Sequence, residues 1–298
     1  MRPENASFLA PISEYSNLPF RQMCLGAGAS FAEVPLVSVI AMRHSKDPIS
    51  RIDLSEPEKG RTGIQLFGKE PNDFGNAIDA ITERFPFAEW FDVNCGCPMQ
   101  NVTASGGGAA LLKTPERIAD IIKECRKHCK AVSAKVRILG SWDKTLDVCK
   151  SVEKSGADFI TVHGRTAEQG YSGKADWDTI KKIKQSLSIP VIGNGDVTSI
   201  AQGKRLVEGG YCDGFMVGRG AMSNPYLFRG EDGKGFGARK AMLLDYIGRC
   251  RKLGNPDVAD VRMKALFFLR AFPESAEMRN AVSRLKKIDE IIGLLESY

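Results

Sequence analysis

No apolar run in this chain approaches the roughly 20 residues that a membrane-spanning helix needs. The opening segment, "MRPENASFLAP", has no apolar stretch of signal-peptide length. The eight cysteines are spread along 298 residues and do not form the dense framework of a small disulfide-stapled domain. Charge of one sign is also scarce, with a net charge of only +6. A solvated basic surface and a patch for a polyanion both fit that value. These absences predict a globular protein of the reducing cytoplasm, with most thiols free and no membrane partner.

What charge there is lies unevenly. Residues 238–298 hold twelve Lys/Arg and eight Asp/Glu, so the C-terminal fifth carries +4 of the net charge and the preceding 237 residues only +2. With 43% hydrophobic and 26% charged residues, the chain can bury a large core in one or two domains.

Short runs rich in β-branched and aromatic residues recur as "SFLAPI", "SFAEVPLV", "TGIQLF", "EWFDVN", "SAKVRI", "DFITVH", "IPVIGN" and "DGFMVG". Amphipathic segments of helical length separate most of them. In "TPERIADIIKECRKHC", Thr114 is expected to cap the helix, Pro115 suits its first position, and Ile118, Ile121 and Ile122 form one stripe. Gly156 stands where the helix "TLDVCKSVEKSG" should end. Eight strands alternating with helices predict a (β/α)8 TIM barrel over 1–232. An open doubly wound sheet is the alternative. The placement of polar residues favours the barrel. Gln65, Asn94, Lys135, Arg137, His163, Asn194 and Arg219 all fall at or just past a strand's C-terminal end, where barrel active sites are built. From 238 to 298 the strand signal disappears, and three helical segments predict a small all-helical domain joined through "RGEDGKGFGARK".

Chemistry concentrates at the expected mouth. "GNGD" (Gly193 to Asp196) follows strand seven and "GRG" (Gly218 to Gly220) follows strand eight. Glycines there let backbone N–H groups approach a phosphate closely, and Arg219 adds a charge; tight strand-to-helix turns would read the same way. Lys135, inside a strand, needs an anionic or electron-rich partner. With His163 and the amide of Gln65 it has the makings of a flavin mononucleotide pocket. "FDVNCGCPMQNV" sets two thiols beside Asn94. They could ligate a metal, act as a nucleophile, or donate a proton. Cys125, His128 and Cys129, on an outer helix, are the other metal candidates, and no metal is expected. Cys95 reads as a space-filler, with a redox or metal role as the alternative. "TASGGGAALL" reads as a mobile lid or as a simple turn.

The motifs "LAPISEYSNLPFR", "QLFG", "DVNCGCP", "GAALL", "KVR", "HGRT", "GYSG", "IPVIGNGD", "VGRGAMSNP" and "FLRAFPESAEMRN" together resemble those of the tRNA-dihydrouridine synthases. The resemblance covers nearly the whole chain. It implies an FMN enzyme that reduces the C5–C6 double bond of particular tRNA uridines, with NADPH or NADH as electron donor. It implies Cys97, directly before the proline, as the proton donor. Asn94 matches the substrate-contacting asparagine, and Arg165 and Thr166 match the "RT" beside the histidine. Ala10, Pro11, Gln65, Lys135, His163, Asn194, Gly195, Asp196, Gly218 and Arg219 match flavin-binding positions. Arg262, Lys264 and Arg270, with Arg279, Arg284, Lys286 and Lys287, are candidates for gripping tRNA phosphates from the helical domain. The chain departs from the family pattern at "API" and "YSN", at Gln100–Asn101, and at Lys264, Phe267 and Phe268. A monomer is expected. A flavin barrel acting on a small molecule, such as a dihydroorotate dehydrogenase, is the competing enzyme. A non-catalytic RNA-binding barrel is the competing class.

Overall fold

The computed structural model describes every residue of the chain except Met1, Lys46, Pro48, Arg51, Asn255 and Ala271. Eight parallel strands close into a barrel in sequence order, with β1 paired to both β2 and β8. They are β1 (Ser7–Leu9), β2 (Phe31–Ser38), β3 (Thr62–Phe67), β4 (Phe91–Cys95), β5 (Val132–Arg137), β6 (Phe159–His163), β7 (Val191–Asn194) and β8 (Gly214–Val217). The helices of the barrel are α1 (Leu18–Gly26), α2 (Val39–His44), α3 (Pro71–Arg84), α4 (Gln100–Thr103), α5 (Pro115–His128), α6 (Trp142–Lys154), α7 (Trp177–Ser186), α8 (Ile200–Glu208) and α9 (Arg219–Ser223). Four more helices follow: α10 (Phe236–Leu253), α11 (Val258–Phe268), α12 (Ser275–Arg284) and α13 (Ile288–Glu296). The fold is a TIM barrel followed by a small helical region.

Pleat alternation sorts the strand residues. On β5, Val132, Ala134 and Val136 join the apolar layer between strands and helices, while Ser133, Lys135 and Arg137 share the other face, toward the barrel interior. The interior is graded along its axis. At the N-terminal ends of the strands, Phe8, Phe31, Trp90 and Phe159 pack in tilted and edge-to-face pairs with ring centroids 5.0–6.3 Å apart. Gly63 is required there, because a Cβ at that position would lie 2.2 Å from the Trp90 ring. Above this apolar floor come the buried polar side chains Glu33, Gln65, Asp92, Ser133 and Thr161. The cations and amides of the mouth come last.

Two local expectations are corrected. Thr114 does not cap α5 by its side chain; its hydroxyl donates instead to the Leu111 carbonyl (3.4 Å). The segment from 277 onward is two helices, not one. Glu290 reaches back to accept the amides of Lys286 (3.1 Å) and Lys287 (3.2 Å), which starts α13 afresh. The glycine-rich stretch after α4 is a packed turn leading into a 3-10 helix (Gly108–Lys113). Ala109 donates its amide to the Cys97 carbonyl (2.9 Å). A Cβ on Gly108, at φ +59°, would come within 2.6 Å of that same oxygen. Gly156, in contrast, takes φ +94° just past the end of α6, as a helix-ending glycine should.

Candidate active site

Every residue expected to hold a cofactor lines one cavity of about 1160 Å³ at the C-terminal mouth of the barrel, and so do Asn94 and Cys97. The thiol sits on a braced turn. Asn94 Oδ1 accepts the backbone amides of Gly96 (3.1 Å) and Cys97 (3.0 Å). Asn94 Nδ2 donates to Gln65 Oε1 (2.7 Å), and Gln65 Nε2 donates to Asp92 (2.8 Å), which also accepts from Ser133 Oγ (2.6 Å). From the other side, Arg137 donates to the Gly96 carbonyl (2.8 Å) and to the carbonyls of Thr166 (2.9 Å) and Gly170 (3.0 Å). Cys97 is half-buried at the cavity wall, whereas Cys95 is fully buried on the opposite face, where burial pushes its thiol pKa well up. That fits the space-filling reading of Cys95.

Gln65 and Asn94, expected to meet a flavin edge and a uracil edge, both line the cavity and are tied into this bracing. Both amides are spent chiefly on each other, on Asp92 and on the cysteine turn, because adjacent strands bring them into hydrogen-bond register.

The cavity floor is cationic. Lys135 Nζ donates to Asn194 Oδ1 (3.2 Å), and Asn194 Nδ2 donates to the Met216 carbonyl (2.9 Å). Burial, reinforced by Arg137, pulls the Lys135 pKa down to about 8, against the opposing pull of Glu33 and Asp92. His163 is pushed down to about 2 by burial and then by Lys135, Arg137, Arg165 and Arg219, so its imidazole is neutral. Below the floor, burial raises Asp92 to about 6 and pushes Glu33 well up, with Asp92 adding to the effect. Both Glu33 oxygens are buried without a hydrogen-bond partner among the described residues.

At the rim, Gly195 adopts φ +129°, and a Cβ there would lie 2.5 Å from that of Ala175. Asp196 does not offer a free carboxylate to a ligand. It accepts Arg165 (2.7 Å) and Arg219 (2.9 Å), and the Arg219 guanidinium lies 4.7 Å from the Tyr171 ring centroid.

The remaining expected substrate contacts do not converge on this mouth. Arg165 is buried outside the cavity lining and clamps the carbonyls of Ser172 (3.0 Å) and Gly173 (2.7 Å). Asp196 meets the same guanidinium, so Arg165 ties the 172–173 turn to the end of β7. Arg262 is half-buried and donates to the carbonyls of Ser283 (3.3 Å) and Leu285 (3.4 Å) at the end of α12. Arg270 is exposed, 4.5 Å from the Phe267 ring centroid. Lys264 is overturned as a surface contact: it is fully buried between α11 and the loop after β1. His128 is engaged by Asp79 (2.9 Å) and Glu124 (3.2 Å), while Cys129 Sγ donates to the Cys125 carbonyl (3.1 Å). Sequence reasoning missed Tyr171, Glu33 and Asp92, and noted Arg137 without giving it a role. For Arg137 a signal existed, since "KVR" puts Arg137 on the same strand face as Lys135.

The site is thus a basic, thiol-bearing mouth on a closed parallel (β/α)8 barrel. Solved structures agree on the fold. Histamine dehydrogenase from Rhizobium sp. 4-9 superposes with a TM-score of 0.53 at 13% identity, over 84% of this chain and 50% of that one. A single-residue mutant of morphinone reductase, solved in complex with tetrahydroNAD, gives 0.51 at 11% identity, over 86% and 90%. The family model for dihydrouridine synthase (Dus) matches residues 8–288, and the chain belongs to that family. A probable tRNA-dihydrouridine synthase of Aquifex aeolicus is 29% identical over 97% of this chain and 94% of its own. The tRNA-dihydrouridine synthase B of Pasteurella multocida is 34% identical over 76% and 68%. A human tRNA-dihydrouridine(20a/20b) synthase [NAD(P)+]-like protein is 32% identical over 83% and 77%.

Proposed function

We propose that this protein reduces uridines of tRNA to 5,6-dihydrouridine, with FMN held in the mouth cavity, NADPH or NADH as electron donor, and Cys97 as proton donor. The observation that carries the reading is the Cys97 turn, pinned by Asn94 and Arg137 at the wall of a cavity floored by Lys135 and His163. The residues present fit a flavin. The cavity has room for a ring and a nucleobase together. Lys135 is a donor suited to an electron-rich ring edge, and neutral His163 can hydrogen-bond without adding to the charge already there. The left-handed backbone at Gly195 lets main-chain amides approach a phosphate, with Arg219 beside it.

FMN, held by Lys135, His163 and the Gly195 and Arg219 rim, would supply the hydride for C6 of the uracil. The Cys97 Sγ–H then gives its proton to C5, where the charge develops. Asn94 and Arg137 hold that thiol by fixing the amides and carbonyl of its own turn. Residues 1–232 act as the catalytic barrel and residues 238–298 as the RNA-docking region. The exposed Arg270, Arg284, Lys286 and Lys287 there help offset the cost of extruding the base. The protein works in the cytoplasm, where its cysteines stay free.

The test is single-turnover oxidation of reduced flavin by tRNA. Cys97→Ala should retain flavin and its reduction by the nicotinamide but lose about 10²- to 10⁴-fold in uridine reduction, the usual worth of a positioned general acid. Cys95→Ala should stay within a few-fold of the natural protein. If Cys95→Ala were the slower variant, the proton donor would be the wrong cysteine.

A further inference from the structure

Lys264 presents a physical problem. Its side chain is fully buried, and a Met of similar size would fill the space without desolvating a charge. The ammonium donates to the Tyr15 carbonyl (2.7 Å) and to Asp260 Oδ1, one helical turn back on α11 (3.0 Å). It lies 3.9 Å from the ring centroid of Tyr15, 5.2 Å from that of Tyr246 and 5.6 Å from that of Phe20. Asp260 is itself fixed by Asn17 Nδ2 (3.2 Å) and by the Tyr246 hydroxyl. Helical region and barrel therefore share one buried polar knot.

The barrel side of that knot leads to the cavity. Tyr15 ends a tight turn in which Ser16 Oγ accepts the Ile12 amide (2.7 Å) and Tyr15 donates its amide to the Ile12 carbonyl (3.0 Å). Ile12, Ser13 and Glu14 of this turn line the cavity, as do Ala10 and Pro11 before it. At its far end the Tyr15 hydroxyl donates to the Met222 carbonyl (2.9 Å), and Met222 lines the cavity from α9. Tyr15 is thus gripped at both ends, by α11 through its carbonyl and by α9 through its hydroxyl.

We propose that Lys264 is a positioning residue for the cofactor cavity: through Tyr15 it fixes the 10–16 turn and α9, two walls of the cavity, and it makes no contact with RNA. This rests on the flavin reading above. The ammonium bonds both an acid of α11 and the backbone of the turn, so removing it frees the turn, while Asp260 keeps Asn17 and the Tyr246 hydroxyl as donors.

The experiment compares Lys264→Met and Tyr15→Phe with the natural protein by three readouts: the FMN Kd of the apoprotein, the KM for tRNA at saturating FMN, and the melting temperature of the apoprotein. Lys264→Met should raise the FMN Kd about tenfold, the loss of one charge-assisted hydrogen bond. Tyr15→Phe should raise it severalfold from the other end of the same strut. Both should leave the tRNA KM within twofold and the apoprotein melting point within a few degrees. A raised tRNA KM with an unchanged FMN Kd would overturn the proposal and assign Lys264 to orienting the helical region on the barrel. Unchanged FMN affinity in both variants would reduce it to a space-filler. If Lys264→Met fails to fold, a natural FMN Kd in Tyr15→Phe overturns the strut and a raised one supports it. A natural protein that takes up no flavin at all would overturn the flavin reading itself, and this proposal with it.

Discussion

His163 shows how a site's electrostatics enters stability. Its neutral form is favoured by burial and by four neighbouring cations, with a folded pKa of about 2 against roughly 6.5 unfolded. Between those values the unfolded chain binds more protons, so this contribution is complete above pH 6.5 and is lost as pH falls below it. Each unit below 6.5 removes about 1.4 kcal/mol. Urea unfolding of the apoprotein at pH 7.5 and 5.5 should therefore show the natural chain losing about 1.4 kcal/mol more than His163→Gln. His128, held above its usual pKa by Asp79 and Glu124, titrates in both proteins and cancels in the comparison. Parallel losses in the two proteins would mean that the imidazole is not desolvated as described.

The turn carrying Cys97 depends on its neighbour. The stretch after α4 packs so closely that Gly108 has no room for a side chain: a Cβ would meet the Cys97 carbonyl at 2.6 Å and Val102 Cγ1 at 2.7 Å. Its positive φ adds strain to any substitution. Gly108→Ala should cost about 2–4 kcal/mol of stability by strain plus overpacking. It should also slow uridine reduction at least tenfold while leaving flavin reduction by the nicotinamide nearly intact, because only the thiol is displaced. Equal losses in both half-reactions would show the packing to be structural alone. Arg137 supports the same turn from β5, so Lys135 and Arg137, two residues apart on one strand face, serve the floor and the wall respectively.

Across the chain, the basic excess of the C-terminal fifth divides into two populations. Lys264 is buried, Arg262 is turned onto the end of α12, and Arg279 donates to the Leu269 carbonyl (2.8 Å). Arg270, Arg284, Lys286 and Lys287 face solvent. Reversing Arg270, Lys286 and Lys287 to Glu should raise the tRNA KM more than tenfold at moderate salt. The slope of log affinity against log salt should flatten by about 0.7–0.9 for each phosphate no longer neutralised. Flavin content should not change. An unaltered salt slope would assign these side chains to a merely solvated face.

The barrel was legible in the sequence because parallel strands buried on both faces must read as short apolar runs, and eight of them alternate with amphipathic helices. Its mouth was legible for a related reason. Closing the barrel gathers every strand's C-terminal end, so residues far apart in the chain, from Gln65 to Arg219, line one cavity wherever the helices lie. Side-chain partners were not legible, because they are set between strands and between regions. Arg165 finds Asp196 31 residues away, Asn94 finds Gln65 29 away, and Lys264 finds Tyr15 249 away. A lysine on a helix reads as solvated until the neighbours of that helix are known. The amino-acid order alone determined the fold and the ring of polar residues at its mouth, since both follow from periodicity and closure. Tertiary packing alone decided which of those charges meet a ligand and which are spent holding the walls, since that depends on which side chains the folded chain leaves without a protein partner.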